Sequence, residues 1–253
     1  MTRFAIAAIA TLGLVLAAAP GARAQNKSCS TTMTGSVVHG NLVVPPNSTC
    51  TLNSTTVDGN VAVGSGATLQ VNDGVTIGGN IDTGACHLVT LTGNAIFVGG
   101  NVSIRECSGP NGYRAGSGFI IGTSPSLQIA GNFVCQNNDS PCVISGGRIG
   151  GNAWFVNMSG GAQVLGAEIG GNLLVSDNGT ATAGGSTQAA VVTNSTVYGN
   201  VKVFNNSGPS AQVVGGNVIY GNLFCQDNTP DVNADNDGPS TVGGNKLGQC
   251  AGL

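Results

Sequence analysis

The chain has 253 residues, of which 8% are charged, 4% are aromatic and 42 are glycine, and its formal net charge at pH 7 is −3. This charge argues against a nucleic-acid partner and against attraction to an anionic membrane surface. A hydrophobic content of 41% excludes a disordered glycine-rich linker, so the chain buries an interior. Because bulky side chains are scarce, we expect that interior to be thin, with many turns and much backbone pairing.

Residues 1–24 are typical of a secretory signal peptide. Arg3 precedes an apolar run over residues 4–19, and Ala22 and Ala24 fit the small-residue cleavage rule. The run is too short for a membrane anchor and lacks a stop-transfer charge cluster. We therefore predict one mature domain over residues 25–253, without a membrane span, secreted to the periplasm or the cell exterior. It carries six basic and eleven acidic residues, a net charge of −5.

The dipeptide Gly-Asn occurs twelve times, whereas Asn-Gly occurs only twice. Composition alone would give similar numbers of both, so the asymmetry indicates a structural position. Ten of the twelve fall on one ladder with steps of 19 to 31 residues, and the ladder asparagines are Asn41, Asn60, Asn80, Asn101, Asn132, Asn152, Asn172, Asn200, Asn222 and Asn245. A repeat of this size predicts a solenoid.

The residues around each ladder asparagine follow a strand pattern. The first and third residues after it are apolar in most repeats, as in Val201 and Val203, which is typical of a strand with one buried face. A second short strand precedes Gly-Asn and a third apolar patch lies between repeats, so three strands form one triangular coil. An α-helix would need a 3.6-residue apolar period, which no window keeps, and an antiparallel sandwich gives no reason for Gly-Asn at one fixed phase. The predicted fold class is all-β, a single-stranded parallel β-helix (solenoid) of roughly ten coils.

We expect the ladder glycine to allow backbone angles that other residues avoid and a close approach between coils. The asparagine tolerates the left-handed region, and stacked amides can hydrogen-bond from coil to coil. With these ladders, residues 29–250 resemble the right-handed parallel β-helices of the pectate-lyase architecture. The ending GGNKLGQCAGL is also similar to the tails of secreted bacterial β-helix proteins. The resemblance implies a right-handed coil and supplies no activity, since no enzyme-family motif is present.

All eight cysteines follow the signal segment, and an even number in an exported chain predicts disulfides. Two spacings of 21 residues and one of 25 are close to one coil, and a spacing of seven would close a short loop. The predicted pairs are Cys29–Cys50, Cys86–Cys107, Cys135–Cys142 and Cys225–Cys250. The first and last pairs would clamp the two ends of the solenoid. A metal site is the alternative, but the chain has no CxxC spacing and only two histidines.

A second polar row lies five and six residues after the ladder asparagine. Its members are Asn137, Asn138, Asn157, Asp177, Asn178, Asn205, Asn206, Asp227 and Asn228. Such residues are typical of turns, and the alternative is a cation-binding edge. The candidate calcium ligands are Asp231, Asn233, Asp235 and Asp237, which resemble the start of an EF-hand loop. Calcium is the one cofactor that this stretch suggests, although Asn236 and Val242 occupy the positions where that loop has glycine and a bidentate acid.

The middle residue of each strand after the ladder should point outward, yet several of these residues are apolar. The candidate binding stripe consists of Val134, Trp154, Leu174 and Phe224, and Trp154 is the only tryptophan. An outward apolar stripe marks a binding surface or a place that another segment covers. The long steps from Asn101 to Asn132 and from Asn172 to Asn200 supply loops that would cover it. If the stripe is exposed, our hypothesis is that it binds a carbohydrate or a cell-surface protein.

The acidic residues do not occupy equivalent positions in neighbouring coils, so they are not expected to lie together on one face. Asp58 lies two residues before its ladder asparagine, Asp82 two after and Glu168 four before. The predicted function is therefore a non-catalytic secreted β-solenoid with a structural, adhesive or surface-binding role. The alternative is an atypical carbohydrate-active β-helix enzyme of the polysaccharide lyase or glycosidase type. Two or three carboxylates within about 5–10 Å in one groove would favour the enzyme.

Overall fold

The computed structural model describes residues 26–108, 119–121, 126–179 and 188–253, so the predicted signal peptide at residues 1–24 lies outside the described residues. The described chain forms three sheets in which every strand pair is parallel. Neighbouring strands of each sheet come from successive coils. The all-β parallel solenoid of roughly ten coils that the repeat predicts is therefore confirmed.

We number the strands of the described residues β1 to β31 in chain order. The first sheet follows the ladder asparagines and contains β1 (Lys27–Ser28), β4 (Leu42–Val44), β7 (Val61–Val63), β10 (Ile81–Thr83), β13 (Val102–Arg105), β16 (Phe133–Gln136), β19 (Ala153–Val156), β22 (Leu173–Ser176), β25 (Val201–Phe204), β28 (Leu223–Gln226) and β31 (Lys246–Gly248). The second sheet contains β2 (Thr32–Thr34), β5 (Thr49–Asn53), β8 (Thr68–Val71), β11 (Leu88–Leu91), β14 (Phe119–Ile121), β17 (Cys142–Ser145), β20 (Ala162–Leu165), β23 (Ala190–Thr193), β26 (Gln212–Gly215) and β29 (Val232–Asn233).

The third sheet contains β3 (Val37–Val38), β6 (Thr56–Val57), β9 (Thr76–Ile77), β12 (Ile96–Val98), β15 (Leu127–Ile129), β18 (Arg148–Ile149), β21 (Glu168–Ile169), β24 (Thr196–Val197), β27 (Val218–Ile219) and β30 (Thr241–Val242). One short 3-10 helix, Asp235–Asp237, joins the second sheet to the third in the last coil. Within the described ranges, no helix has the length and apolar character needed to cross a membrane.

The core consists of columns of small and medium apolar side chains. Equivalent residues of successive coils pair directly, so that Val61 pairs with Ile81 and Ile81 with Val102, and all three are fully buried. Parallel strands are about 4.8 Å apart, which places these side chains in van der Waals contact along the axis. The largest buried side chains are Phe133 and Phe155, whose ring centroids lie 5.3 Å apart.

At nine of the ten ladder positions, the glycine is required by a close approach to the preceding coil and not by its backbone angles. A Cβ on Gly151 would lie 2.6 Å from the Oδ1 atom of Asn132 in the preceding coil, and one on Gly171 would lie 2.6 Å from Asn152 Oδ1. Neither glycine has a positive φ, and the ladder asparagines also lie outside the left-handed region. Positive φ values occur at Gly40 of the ladder, with 142°, and at Gly216 outside it, with 64°. The expectation of unusual backbone angles therefore holds at these two Gly-Asn positions only, whereas the expectation of close packing is confirmed.

The ladder asparagines form a continuous hydrogen-bonded column at the corner between the third and first sheets. In each step, the side-chain oxygen of one asparagine accepts from the backbone N–H of the next. Asn80 donates in this way to Asn60 at 2.8 Å, and its Nδ2 atom donates to the same oxygen at 3.0 Å. The backbone bond continues to Asn245, which donates to Asn222 at 2.9 Å. These bonds satisfy corner N–H groups that no strand would otherwise pair.

The second polar row forms turns at the corner between the first and second sheets. Its first members have positive φ values of 53–57°, and they are Asn137, Asn157, Asp177, Asn205 and Asp227. The asparagines that follow them point inward, and Asn178, Asn206 and Asn228 make a second ladder that is almost fully buried. Asn178 Nδ2 donates to Asn206 Oδ1 at 2.9 Å, and Asn206 Nδ2 donates to Asn228 Oδ1 at 2.9 Å. The first member of each pair has turn angles, as the sequence predicts, whereas the amides that follow bond from coil to coil and form a buried ladder that the sequence does not predict.

Four disulfides join the cysteines in the pairs that the spacings predict: Cys29–Cys50, Cys86–Cys107, Cys135–Cys142 and Cys225–Cys250. No cysteine of the described residues is free. The Cys225–Cys250 bond ties the chain that follows the last strand of the first sheet to β28 in the coil before it. Four disulfides are consistent with an extracellular or otherwise oxidising location.

Candidate functional site

The outward face of the first sheet carries the stripe that the sequence singles out. The register pairs Val134 with Trp154 and Trp154 with Leu174, so these three side chains lie on consecutive rungs. The row then passes through Lys202 to Phe224, because Leu174 pairs with Lys202 and Lys202 with Phe224. All four apolar members are partly exposed. The loops that would cover the stripe run largely through residues 109–118, 122–125 and 180–187, which lie outside the described residues.

An open groove of about 410 Å³, which we call the Trp154 groove, begins at Trp154 on this face. Its lining residues are Asn80, Ile81, Asp82, Asn101, Ser103, Arg105, Asn132, Val134 and Trp154. The hollow follows from the sizes of the side chains in one row. The large Trp154 side chain is followed, strand by strand toward the N-terminus, by the smaller side chains of Val134, Ser103 and Asp82.

The polar groups of the Trp154 groove are of several kinds. Asp82 and Arg105 are exposed, and neither makes an ion pair or a side-chain hydrogen bond with another described residue. The Ser103 hydroxyl oxygen is the one buried side-chain polar atom of the described residues without a hydrogen-bond partner. An unsatisfied buried hydroxyl costs about 1–3 kcal/mol. The groove thus places an aromatic wall beside one anion, one cation and an unpaired hydroxyl.

A second groove of about 470 Å³ lies further along the same face and includes Phe224. It is lined by Asn200, Val201, Lys202, Asn222, Phe224, Asn245 and Leu247. The side chains of this lining include one cation and no carboxylate. The predicted stripe residues therefore divide between two grooves, with Val134 and Trp154 in one and Phe224 in the other, while Leu174 lies between them.

A pair of stacked tyrosines was not predicted from the sequence. The ring centroids of Tyr198 and Tyr220 lie 5.0 Å apart, the ring planes differ by 1°, and the two residues are 50% and 60% exposed. The signal for this pair is the repeated YGN at residues 198–200 and 220–222, one coil apart. Each ring lies two residues before a ladder asparagine, at the edge of the third sheet.

The carboxylates of the described residues do not form a catalytic pair in any of these grooves. Asp82 is the only acid in the Trp154 groove. Asp58 instead pairs with His39 of the preceding coil, with 2.8 Å between Oδ2 and Nδ1. Glu168 faces Arg148 on the outer surface of the third sheet, with 3.6 Å between Oε1 and Nε.

The four candidate calcium ligands lie apart from one another in the last coil. Asp231 accepts a hydrogen bond from Gln249, whereas Asp237 accepts one from Asn194 Nδ2 at 2.8 Å. Asn233 ends β29, and Asp235 begins the 3-10 helix with a φ of 47°. Within the described ranges, no three His, Cys, Asp or Glu side chains are grouped so that they could hold a metal ion. Calcium at residues 231–238 stays a prediction.

No protein-family model, curated protein or solved structure matches this chain.

Proposed function

We propose that this protein is a non-catalytic, secreted β-solenoid that binds carbohydrate on the outward face of its first sheet. The observation that carries the proposal is the Trp154 groove, in which the only tryptophan stands beside exposed polar groups. Secretion is supported by the residues 1–24 pattern together with four disulfides. The right-handed coil and the likeness to the pectate-lyase architecture belong to the same proposal. They are supported by the parallel coils and by the strong preference of parallel crossovers for that hand.

The chemistry of the groove suits a sugar. A pyranose ring has an apolar C–H face that can lie on an indole, and hydroxyl groups that both donate and accept hydrogen bonds. Ligand sites combine apolar or aromatic walls with a few placed polar groups, which is the composition found here. Asp82 accepts hydrogen bonds and Arg105 donates them. Asn101 and Asn132 each keep one Nδ2 hydrogen that the ladder does not use, because the other Nδ2 hydrogen and the Oδ1 atom are bonded to neighbouring ladder asparagines.

The arrangement of the acids favours binding over the enzyme alternative. Glycosidases of the usual kinds place two carboxylates on opposite sides of the scissile bond, about 5–10 Å apart. Asp82 is the only carboxylate among the residues that line the Trp154 groove. We therefore expect an intact polysaccharide to be bound and released without cleavage.

The test begins with a glycan array probed with the purified protein, with and without calcium. For each glycan that binds, calorimetric titration of the wild type is compared with Trp154→Ala and with Phe97→Ala. Phe97 is a matched control because it is an outward aromatic residue, 40% exposed, on the third sheet. For at least one of these glycans, Trp154→Ala should weaken binding at least about tenfold, or about 1.4 kcal/mol, and Phe97→Ala should leave it unchanged.

Three results would contradict the proposal. The first is that no glycan binds the wild type. The second is that Trp154→Ala binds every glycan as the wild type does. The third is the appearance of new reducing ends or unsaturated sugars during incubation with a bound polysaccharide, which would establish the enzyme alternative.

A further inference from the structure

A groove of about 300 Å³ lies at the edge of the third sheet beside Tyr198, and we call it the corner groove. It is lined by Gly146, Gly147, Gly166, Ala167, Glu168, Asn194, Thr196 and Tyr198. None of these residues belongs to the Trp154 groove. The corner groove is therefore a separate site, and its occupation does not depend on the proposed function of the first sheet.

The hollow exists because glycine occupies the turns that precede the third sheet in two neighbouring coils. Gly147 and Gly166 have φ values of 79° and 60°, which disfavour any other residue. A Cβ on Gly147 would also lie 3.0 Å from the carbonyl oxygen of Leu127. At these two turns, the floor of the groove therefore consists of backbone atoms only, and the side chains of Glu168, Thr196 and Tyr198 form its walls.

The Tyr198 ring is held in place from one side and open on the other. Tyr220 of the next coil covers one face of the ring in the parallel stack. The equivalent position in the preceding coil is Gly170, because Ile169 pairs with Val197 in the neighbouring strand. Since Gly170 has no side chain, the outer face of Tyr198 has no side-chain neighbour at the equivalent position of that coil. Stacking on Tyr220 fixes the ring before any ligand arrives, which reduces the entropy lost on binding.

Two polar side chains lie next to the Tyr198 ring, on neighbouring strands of the third sheet. Glu168 pairs directly with Thr196, so a carboxylate and a hydroxyl lie on adjacent rungs. The two side chains belong to the same outward face as the ring, because Thr196 and Tyr198 alternate along one strand direction. Asn194 at the far end donates its amide to Asp237 and therefore forms a fixed wall.

We infer that the corner groove binds a neutral pyranose ring, with the apolar face of the sugar on Tyr198 and its hydroxyl groups bonded to Glu168 and Thr196. A neutral sugar is favoured because Glu168 is the only charged residue in the lining, while its ion-pair partner Arg148, at 3.6 Å, is not part of the lining. A uronate carboxylate in the groove would therefore lie nearer to Glu168 than to Arg148 and would be repelled. The sugar hydroxyls would donate to the Glu168 carboxylate, which makes a charge-assisted hydrogen bond.

The experiment uses calorimetric titration of the purified full chain with three neutral hexamers, cellohexaose, maltohexaose and mannohexaose, and with hexagalacturonate as the anionic probe. At least one neutral hexamer should bind. Tyr198→Ala should weaken that binding at least about tenfold, and Tyr198→Phe, which keeps the ring, should retain it. Thr196→Val, which replaces the hydroxyl by a methyl group, should weaken it severalfold. Phe97→Ala is the matched control and should bind as the wild type does.

The emission of Trp154 separates this site from the Trp154 groove. Because the chain has one tryptophan, a ligand in the corner groove should bind in the calorimeter without shifting that emission. Binding should also persist in Trp154→Ala. Hexagalacturonate should bind at least about tenfold more weakly than the neutral hexamer, and Glu168→Gln should narrow this difference.

The inference is overturned if none of the neutral hexamers binds, or if Tyr198→Ala binds them as tightly as the wild type. It is also overturned if hexagalacturonate binds to Trp154→Ala, in which the Trp154 groove is disabled, as well as the neutral sugars do. Circular dichroism and the melting temperature of Tyr198→Ala serve as the folding control, and they should match the wild type because the residue is half exposed. A loss of binding caused only by Trp154→Ala would support the proposed function and overturn the corner site.

Discussion

The side-chain oxygen of Asn152 accepts two hydrogen bonds from Asn172, one from the backbone N–H at 2.8 Å and one from Nδ2 at 3.1 Å. This pair of bonds recurs between nearly all neighbouring ladder asparagines. It ties the corner of each coil to the corner of the next, at a place where the strands of the third sheet have ended and those of the first have not begun. The four predictions that follow concern this connection and the other contacts between coils.

Asn152→Ala should destabilise the protein by about 1–3 kcal/mol, because the backbone N–H of Asn172 loses its acceptor. Urea unfolding followed by circular dichroism measures the change. Gln128→Ala is the control, since Gln128 is an exposed amide residue on the third sheet, and its effect should stay within about 0.5 kcal/mol. Equal stabilities of the two variants would show that the ladder bonds contribute nothing beyond what water supplies.

Gly151→Ala should cost about 1–3 kcal/mol, because the new methyl group would be 2.6 Å from Asn132 Oδ1 and would push two coils apart. Gly84→Ala is a matched control, since a Cβ there would meet nothing within 4 Å and the backbone angle is not restrictive. Gly84→Ala should be neutral or slightly stabilising. The prediction fails if the two alanine variants unfold at the same urea concentration.

Asn206→Ala should destabilise the inner ladder by at least about 1–3 kcal/mol. Asn206 is fully buried, and its loss removes the acceptor of the Asn178 amide and of the Asn178 backbone N–H. Asn205→Gly is the control, because Asn205 is exposed and has a φ of 53° that glycine accommodates. Hydrogen exchange should show faster exchange at Asn178 in Asn206→Ala and unchanged exchange there in Asn205→Gly.

Replacement of Cys225 and Cys250 by alanine should lower the free energy of unfolding by about 2–4 kcal/mol. The loss should be local, because the bond ties the residues after β31 to the coil before it. Hydrogen exchange measured by mass spectrometry should show faster exchange over residues 240–253 while the middle coils keep their protection. Uniformly faster exchange along the chain would instead mean that the bond stabilises the whole solenoid at once.

The sequence was sufficient to predict the coil, because Gly-Asn marks one corner and the alternation after it marks one strand. A close contact between coils recurs once per coil, so the residues that it requires recur in the sequence with the period of the coil. The disulfide pairs were predictable for the same reason, since three of the spacings are close to one coil. The predicted positive φ angles occur at Gly40 and Gly216 but not at the other ladder glycines. Glycine permits both unusual backbone angles and close approach, and the sequence does not show which of the two a given glycine serves.

The grooves were not predictable, because each depends on differences between coils. The Trp154 groove depends on the decrease in side-chain size from Trp154 to Ser103 and Asp82. A small side chain forms part of a groove only when the side chains on neighbouring strands are larger. The corner groove requires glycine in one turn and Tyr198 in the following coil. The Tyr198–Tyr220 pair is present in the sequence as a repeated YGN, but it occurs in two coils only and therefore does not appear as a period of the ladder.

The two asparagine ladders have opposite electrical polarity. In the outer column, each amide oxygen points toward the later coil, since Asn80 donates back to Asn60. In the inner column, each amide oxygen points toward the earlier coil, since Asn178 donates forward to Asn206. Aligned amides sum their dipoles, as peptide units do in a helix. Because these columns run antiparallel, their axial dipoles oppose each other in the coils of Asn178, Asn206 and Asn228, whereas the outer column alone contributes its dipole in the first coils.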